Sequence, residues 1–280
     1  MIKRFLALVL ILSMLLTAAC AQAGETAELS LLAINVRKAD ALLLRSGESA
    51  YLIDTGSKKD ADTLLNVLRG EGITRLTGVI VTHTHSDHTG GLKALLESEI
   101  AVETVYAPKY YVLKKEDGKH PVEKAIKKAD HPVVWLASGD TLPLDGGKLT
   151  VIGPIEMDGE TENNNSLVLL AEGGGGSILL TGDMEFPEED SLLKAGLIPQ
   201  VDVIKIGNHG EGDATSTQLI TTAQPKLAVI STNSDDEPDT PDPRVIKLLK
   251  AQNVEVLITQ DTEIGVLVTL KSGRIITEMK

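Results

Sequence analysis

"VTHTHSDHTGG", residues 81–91, sets three of the chain's six histidines and one aspartate within six consecutive positions. The apolar run "GVIVTH", 78–83, leads into it and reads as a buried strand. A strand sends residues i and i+2 to the same side. His83 and His85 therefore aim two imidazoles at one point, where they can share a cation. Asp87 and His88 fall where the chain turns, and can face a second point nearby. Gly90 and Gly91 let a helix begin close behind. Zinc and similar cations take imidazole and carboxylate ligands readily, and a catalytic site keeps one position open for water. A lone histidine in a turn is ordinarily a surface residue. Three histidines and an aspartate spaced H-x-H-x-D-H behind an apolar strand call for a metal.

Outward from this turn, short apolar segments alternate with helical patterns. "ELSLLAIN", "ALLLRS" and "AYLIDTG" read as three successive strands with turns near Arg37–Ala39 and Ser46–Glu48. "DADTLLNVLRGEG" reads as a helix with Leu64, Leu65 and Leu68 on one face. "GGLKALLES" is the next helix and "VETVYAP" the next strand. "TLPLDGGKLTVIGP" and "SLVLLAEGGGGSILLTGD" read as hairpins, the second turned at Gly173–Gly176. "EEDSLLKAGL" is a helix, and "VDVIKIGNHG" a strand entering a Gly-flanked loop. The same theme closes the chain: helices over 216–224 and 243–252, strands over 227–231, near 254–258 and over 265–270. Residues 109–132 are Lys-rich and weakly patterned, so surface helix and loop are expected there, with His120 and His131 at the surface. The pattern predicts an α/β (α+β) fold: a four-layer αββα sandwich of two mixed sheets with outer helices. With no Pro/Ser-rich linker, residues 28–280 read as a single domain.

The bulk numbers bound the partners. Aromatic residues are 2 % of 280, so the core must be aliphatic. A net charge of −13 argues against a stable nucleic-acid complex, which a basic patch usually supports. Residues 1–23 read as a signal peptide: Lys3 and Arg4, an apolar run from Phe5 to Leu16, then small residues. That run is short for a membrane span. "LTAAC" resembles a bacterial lipoprotein box, with the signal ending before Cys20, the chain's only cysteine; cleavage after Ala23 would instead free a chain beginning at Gly24. The expectation is an exported protein, a cell-envelope lipoprotein or secreted, touching membrane only through signal or lipid anchor. Cysteine is thereby removed from any metal site.

"HTHSDH", with "LIDTG" before it and "LLTGD" after it, resembles the metallo-β-lactamase fold superfamily, over roughly residues 28–270. "NNNSLVLL", "ILLTGD", "VIKIGNHG" and "PKLAVISTN" are similar to the hydrolase domain of the ComEC DNA-uptake proteins and their secreted relatives. The resemblance implies two divalent metal ions, zinc in the first instance, with manganese or iron as alternatives. It implies one ion on His83, His85 and Asp183, and a second on Asp87, His88, Asp183 and His209, with Asp183 bridging. Asp54 would orient the site through hydrogen bonds without binding metal. Asp87, Asp183 and Asp54 are the expected catalytic carboxylates, Asp87 or Asp183 moving the proton.

The sequence departs from the superfamily in three places. No histidine lies between His131 and His209, which leaves Asn164 or Asn165, or water, to complete the first ion's shell. Asn208 stands where the subgroup shows the first histidine of H-H-G, and "NSDDEPDTPDP" lacks a histidine that relatives carry. The resemblance implies a metal-bridged hydroxide, formed between cations about 3.5–4 Å apart, that attacks a small or short phosphodiester. No G-x-S-x-G motif offers a different nucleophile. An esterase or lactonase is the alternative enzyme, and a degenerate non-catalytic envelope binding protein the alternative from another class.

Overall fold

The computed structural model describes residues 27–112, 119–126 and 131–280. Residues 1–23, expected to be a signal peptide and including Cys20 and Ala23, lie outside the described residues, as do Gly24 and Lys114 and Lys115 of the Lys-rich stretch. The first half contributes β1 (Leu29–Ile34), β2 (Leu42–Ser46), β3 (Ser49–Ile53), β4 (Arg75–Leu76), β5 (Gly78–Ile80), β6 (Ala101–Val102), β7 (Val105–Pro108) and β8 (Val133–Leu136). The second half contributes β9 (Thr141–Leu144), β10 (Gly147–Gly153), β11 (Val168–Gly173), β12 (Gly176–Leu180), β13 (Val203–Lys205), β14 (Leu227–Ile230), β15 (Glu255–Ile258), β16 (Gly265–Lys271) and β17 (Arg274–Met279).

Two mixed sheets result. One has the order β17-β16-β1-β2-β3-β5-β7-β8, the other β15-β14-β13-β12-β11-β10-β9, and β4 and β6 form a small pair apart. Between the sheets lies an aliphatic core that includes Leu31, Leu44, Ile53, Leu169, Ile178 and Val229. The outer face of the first sheet packs on Leu64, Leu65 and Leu68 of the helix Ala61–Gly70 and on Leu92 and Leu95 of Leu92–Leu96. The outer face of the second packs on Leu192 of Phe186–Lys194, Leu219 and Ile220 of Thr217–Ala223, and Val245 and Leu249 of Pro243–Ala251. Helix, sheet, sheet and helix make the four layers expected. A sheet apolar on both faces explains why so many strands read as continuous apolar runs rather than alternating ones.

Some boundaries differ from the sequence reading. Strand β8, just beyond the stretch expected to be surface helix and loop and not itself expected, extends the first sheet by pairing parallel to β7. Strand β17 pairs antiparallel to β16, although its side chains are mostly exposed and its apolar pattern is correspondingly weak. The helix expected from Glu188 begins at Phe186, with Pro187 in its first turn, where a missing N–H costs nothing. Among the described residues no helix is long and apolar enough to cross a membrane.

Candidate metal centre

Each chemistry-bearing side chain leaves the end of a strand. Asp54 follows β3, the histidine turn follows β5, Asp183 follows β12 and His209 follows β13. β3 and β5 run parallel, as do β12 and β13, so all four loops emerge at carboxyl ends. Non-glycine residues with left-handed backbone aim two of these loops: Asp54 has φ 59°, and the consecutive Asn208 and His209 have φ 44° and 53°. Such conformations carry strain and collect where geometry serves function.

Asp54, fully buried, is held by Thr82. Its Oδ1 accepts from the Thr82 N–H at 2.7 Å and its Oδ2 from the Thr82 hydroxyl at 2.6 Å. Oδ2 also lies 2.7 Å from His88 Nδ1, and the far nitrogen of that ring, Nε2, is 3.0 Å from Asp183 Oδ2. Asp183 Oδ2 is in turn 3.5 Å from His209 Nε2 and 3.7 Å from His83 Nε2. One carboxylate oxygen thus has three imidazole nitrogens around it. His209 Nε2 is 3.3 Å from Asp87 Oδ2, and His83 Nε2 is 3.1 Å from His85 Nδ1. His209 Nδ1 donates to the Ser231 carbonyl at 2.9 Å, which leaves Nε2 to face the cluster.

The structure therefore gathers all seven site residues expected from the sequence: His83, His85, Asp87, His88, Asp183 and His209 around one volume, with Asp54 behind His88. Ligand atoms of Asp87, His88, Asp183 and His209 all lie within 4.8 Å of one another. His209 rather than Asn208 faces them, because the Asn208 amide is turned away onto Asp213 at 3.0 Å. Within the ligand cluster two buried atoms have no aligned hydrogen-bond partner, Asp183 Oδ1 and His209 Nε2. An orphaned buried polar atom costs about 1–3 kcal/mol. A cation among these ligands removes that cost, so the donor set fits divalent metal.

The charges push the same way. Burial opposes ionisation of Asp183, yet His88 and His209 hold it well below the usual carboxylate range. Burial likewise opposes Asp87, which His209 and His88 keep low. Burial would lower His88 and His209. The carboxylates win, raising His88 well above its ordinary value through Asp183 and Asp54, and His209 to about 9 through Asp183, Asp87 and Asp40. His83 goes down instead, through burial and the neighbouring His88.

Three residues near the centre were not expected. Asp40 and Lys205, both fully buried, form an ion pair, and Asp40 Oδ1 lies 3.8 Å from His209 Nδ1. The visible signal was Lys205 itself, a charge inside the apolar run "VIKIG". Glu162 accepts from the Thr84 N–H at 2.9 Å with one oxygen and from the Val112 N–H with the other, which ties the histidine turn to the segment after β7.

Two expectations are corrected. Asn164 and Asn165 are not free to ligate. The Asn165 amide bridges the Asp158 N–H and carbonyl, at 2.9 Å each, and Asn164 bonds Asp158 Oδ2 at 2.9 Å and the Glu185 N–H at 3.3 Å. Both brace the loop instead. His120 is buried rather than at the surface, edge-on to Tyr111 and Trp135 with ring centroids at 4.6 and 5.1 Å.

The profile of the metallo-beta-lactamase superfamily matches residues 34–232. ComE operon protein 3 of Bacillus subtilis (strain 168) is 33% identical over 196 residues, 70% of this chain and 25% of that protein. Competence protein ComA of Neisseria gonorrhoeae is 27% identical over 222 residues, 78% of this chain and 29% of that protein. The chain thus spans little more than a quarter of the length of these relatives. Among solved structures, the metallo-beta-lactamase fold protein YhfI from Bacillus subtilis superposes with a TM-score of 0.57 at 15% identity, covering 87% of this chain and 99% of YhfI. At that identity the likeness concerns the fold alone.

Proposed function

Because the chain belongs to the metallo-beta-lactamase superfamily, we propose that it is a metal-dependent hydrolase acting on a small or short phosphodiester. The observation that carries the metal part is Asp183 Oδ2, set 3.0, 3.5 and 3.7 Å from the imidazoles of His88, His209 and His83. One ion is assigned to His83, His85 and Asp183, the other to Asp87, His88, Asp183 and His209. A bound cation pair, zinc in this reading, supplies Lewis acidity and water activated at neutral pH.

The chain's own groups do the rest. Asp54 takes the Nδ1 proton of His88 in a hydrogen bond and so fixes the tautomer that presents Nε2 forward. The Ser231 carbonyl does the same for His209. Asp87 is the one clustered carboxylate with solvent access, its side chain 32% exposed, so it is the group that carries a proton out of the centre. The choice of phosphodiester rests on the ComEC-type runs and on the two competence relatives. The acidic chain favours a short diester over a long polyanion. Export rests on the reading of residues 1–23, and mass spectrometry of the mature N-terminus tests it.

The functional test is metal analysis together with hydrolysis of bis-p-nitrophenyl phosphate and p-nitrophenyl acetate. Two equivalents of metal and preferential turnover of the phosphate support the proposal. Preferential turnover of the acetate supports the esterase instead, and no bound metal supports a binding protein.

A further inference from the structure

The centre opens to solvent at Asp87. His83, His88, Asp183 and His209 are buried, whereas the Asp87 side chain is 32% exposed. The loop after β1 lies against this opening, since the Asp40 N–H donates to the Asp87 carbonyl at 3.2 Å. Two residues earlier, Lys38 is close enough for the Asp87 charge to act on it. Beside Lys38 stands Glu211, two residues beyond His209. Lys38 pairs with Glu211 and lies 4.0 Å from Glu237. Beside them the Arg37 guanidinium grips Asp236 with two bonds, 2.7 Å from Nε and 2.6 Å from Nη2, and Lys59 Nζ reaches the same carboxylate at 3.4 Å. Every cation in this ring comes from the first half of the chain and every carboxylate from the second.

We propose that Arg37, Lys38 and Lys59 form a binding rim for a second phosphate group of the substrate, and that Glu211, Asp236 and Glu237 occupy the rim until that phosphate displaces them. Three observations carry it. The fork that binds a carboxylate through two parallel N–H groups binds a phosphate in the same way. The outermost pair is cheap to exchange: Lys59, 61% exposed, reaches Asp236 only at 3.4 Å, and a single exposed ion pair of that kind contributes little. The place is also unusual, because a chain with 40 acidic and 27 basic residues gathers three cations at the mouth of its candidate centre. A substrate with one phosphate at the metals would set the next at this rim. That identification of the ligand rests on the phosphodiester reading, whereas the anion site does not.

The test uses the full metal-loaded chain and a fluorescent 5′-phosphorylated thymidine dinucleotide with a non-cleavable methylenephosphonate linkage, with affinity read by anisotropy at low salt. The double variant Asp236→Asn/Glu237→Gln removes two of the three competing carboxylates and should bind the probe about fivefold more tightly, whereas Arg37→Ala/Lys59→Ala should bind it about fivefold more weakly. Thermal midpoints of both should stay near wild type, since only exposed pairs are lost. Competition by inorganic pyrophosphate assigns the rim to any phosphoryl anion; failure to compete assigns it to the backbone phosphate of a nucleotide. Unchanged affinity in both variants, or weaker binding in Asp236→Asn/Glu237→Gln, overturns the proposal, because the carboxylates would then only brace the loop. A wild type that turns over no phosphodiester defeats the functional reading and leaves this binding measurement intact.

Discussion

Lys205 and Asp40 are paired with no solvent contact beneath the histidine cluster, and they join the second sheet to the loop of the first. Lys205 ends β13, four residues before His209. Asp40 holds the Asp87 carbonyl through its N–H and the Gly56 N–H through its carbonyl. The pair therefore sets the height of His209 against Asp87. Removing one partner strands the other charge in the interior, which costs about 3–5 kcal/mol, whereas replacing both with neutral groups of similar volume is far milder. Lys205→Met and Asp40→Asn should each lower the thermal midpoint sharply, and the double variant should recover most of the loss. Additive losses in the double variant would show that the two side chains act separately.

Asp183→Ala removes the one oxygen that three imidazoles share. The expected result is loss of both bound metal and hydrolytic activity, read by elemental analysis and by the phosphodiester assay on the same preparation. Full turnover by this variant would refute the bridging assignment.

Asp54→Asn keeps an acceptor for Thr82 but takes the negative charge from His88 Nδ1. The ring is then no longer held in the tautomer that presents Nε2. Loss of such an outer partner typically weakens metal binding about 10–100-fold. Competition against a chelator of known affinity reads the change, and a shift below threefold would mean that Thr82 and packing alone orient the ring.

The two glycines closing the histidine turn are enclosed by backbone. A Cβ on Gly91 would sit 2.2 Å from the Thr55 carbonyl oxygen, and one on Gly90 2.3 Å from the Lys58 nitrogen. Thr55 in turn holds the His88 carbonyl with its N–H at 2.7 Å and its hydroxyl at 2.9 Å. Gly91→Ala should cost roughly 1–3 kcal/mol through overpacking, and weaken metal binding by moving His88. Gly70, at the end of a helix with nothing within 4 Å, is the control: Gly70→Ala should stabilise by about 0.4–1 kcal/mol. Denaturant midpoints compare the two.

The sequence made the fold and the histidine turn legible for the same reason. Both are written in adjacent residues: "HTHSDH" is contiguous, and strands such as "SLLAI" and "SILL" are short apolar runs between turn signals. Asp183 and His209 were reachable only through the family pattern, since nothing local separates "TGD" from a helix cap. Lys205 shows in the sequence only as a lone charge inside "VIKIG", and its pairing with Asp40 was not reachable, because the two are 165 residues apart. Strand β8 was missed because "VVWL" follows the Lys-rich stretch and half of it is exposed. His120 was misplaced for a related reason: its burial comes from Tyr111 and Trp135, whose meeting depends on β8 pairing with β7.

His120 gives a pH prediction away from the centre. Its Nδ1 accepts from the Val122 N–H at 3.2 Å, so the folded ring is neutral, and burial, with Lys124 adding, lowers it to about 4. A depressed histidine contributes stability that is present above its unfolded value near 6.5 and lost as pH falls through about 4. Between those values the unfolded chain binds the extra proton. Wild type should lose roughly 1–3 kcal/mol more than His120→Asn over that window, the figure allowing for partial screening. Parallel slopes of stability against pH for the two proteins would remove His120 from the account.

The histidines of the centre predict the opposite sign. Without metal, His209 is raised to about 9 and His88 is also raised, both by surrounding carboxylates. Stability from a raised histidine is complete below the unfolded value near 6.5 and is lost as pH rises through the folded value. The metal-free chain should therefore weaken between pH 7 and 9, by on the order of 3 kcal/mol at most from His209. An imidazole must be neutral to ligate a metal, so loading the centre near pH 7.5 must expel protons, and affinity should climb with pH up to about 9. Calorimetric titration in buffers of different ionisation enthalpy counts the protons released. The gap between the thermal midpoints of the metal-loaded and chelator-treated chain should widen over the same pH range. A gap constant with pH, and a binding heat independent of buffer, would mean that the imidazoles around Asp183 are already neutral before metal arrives.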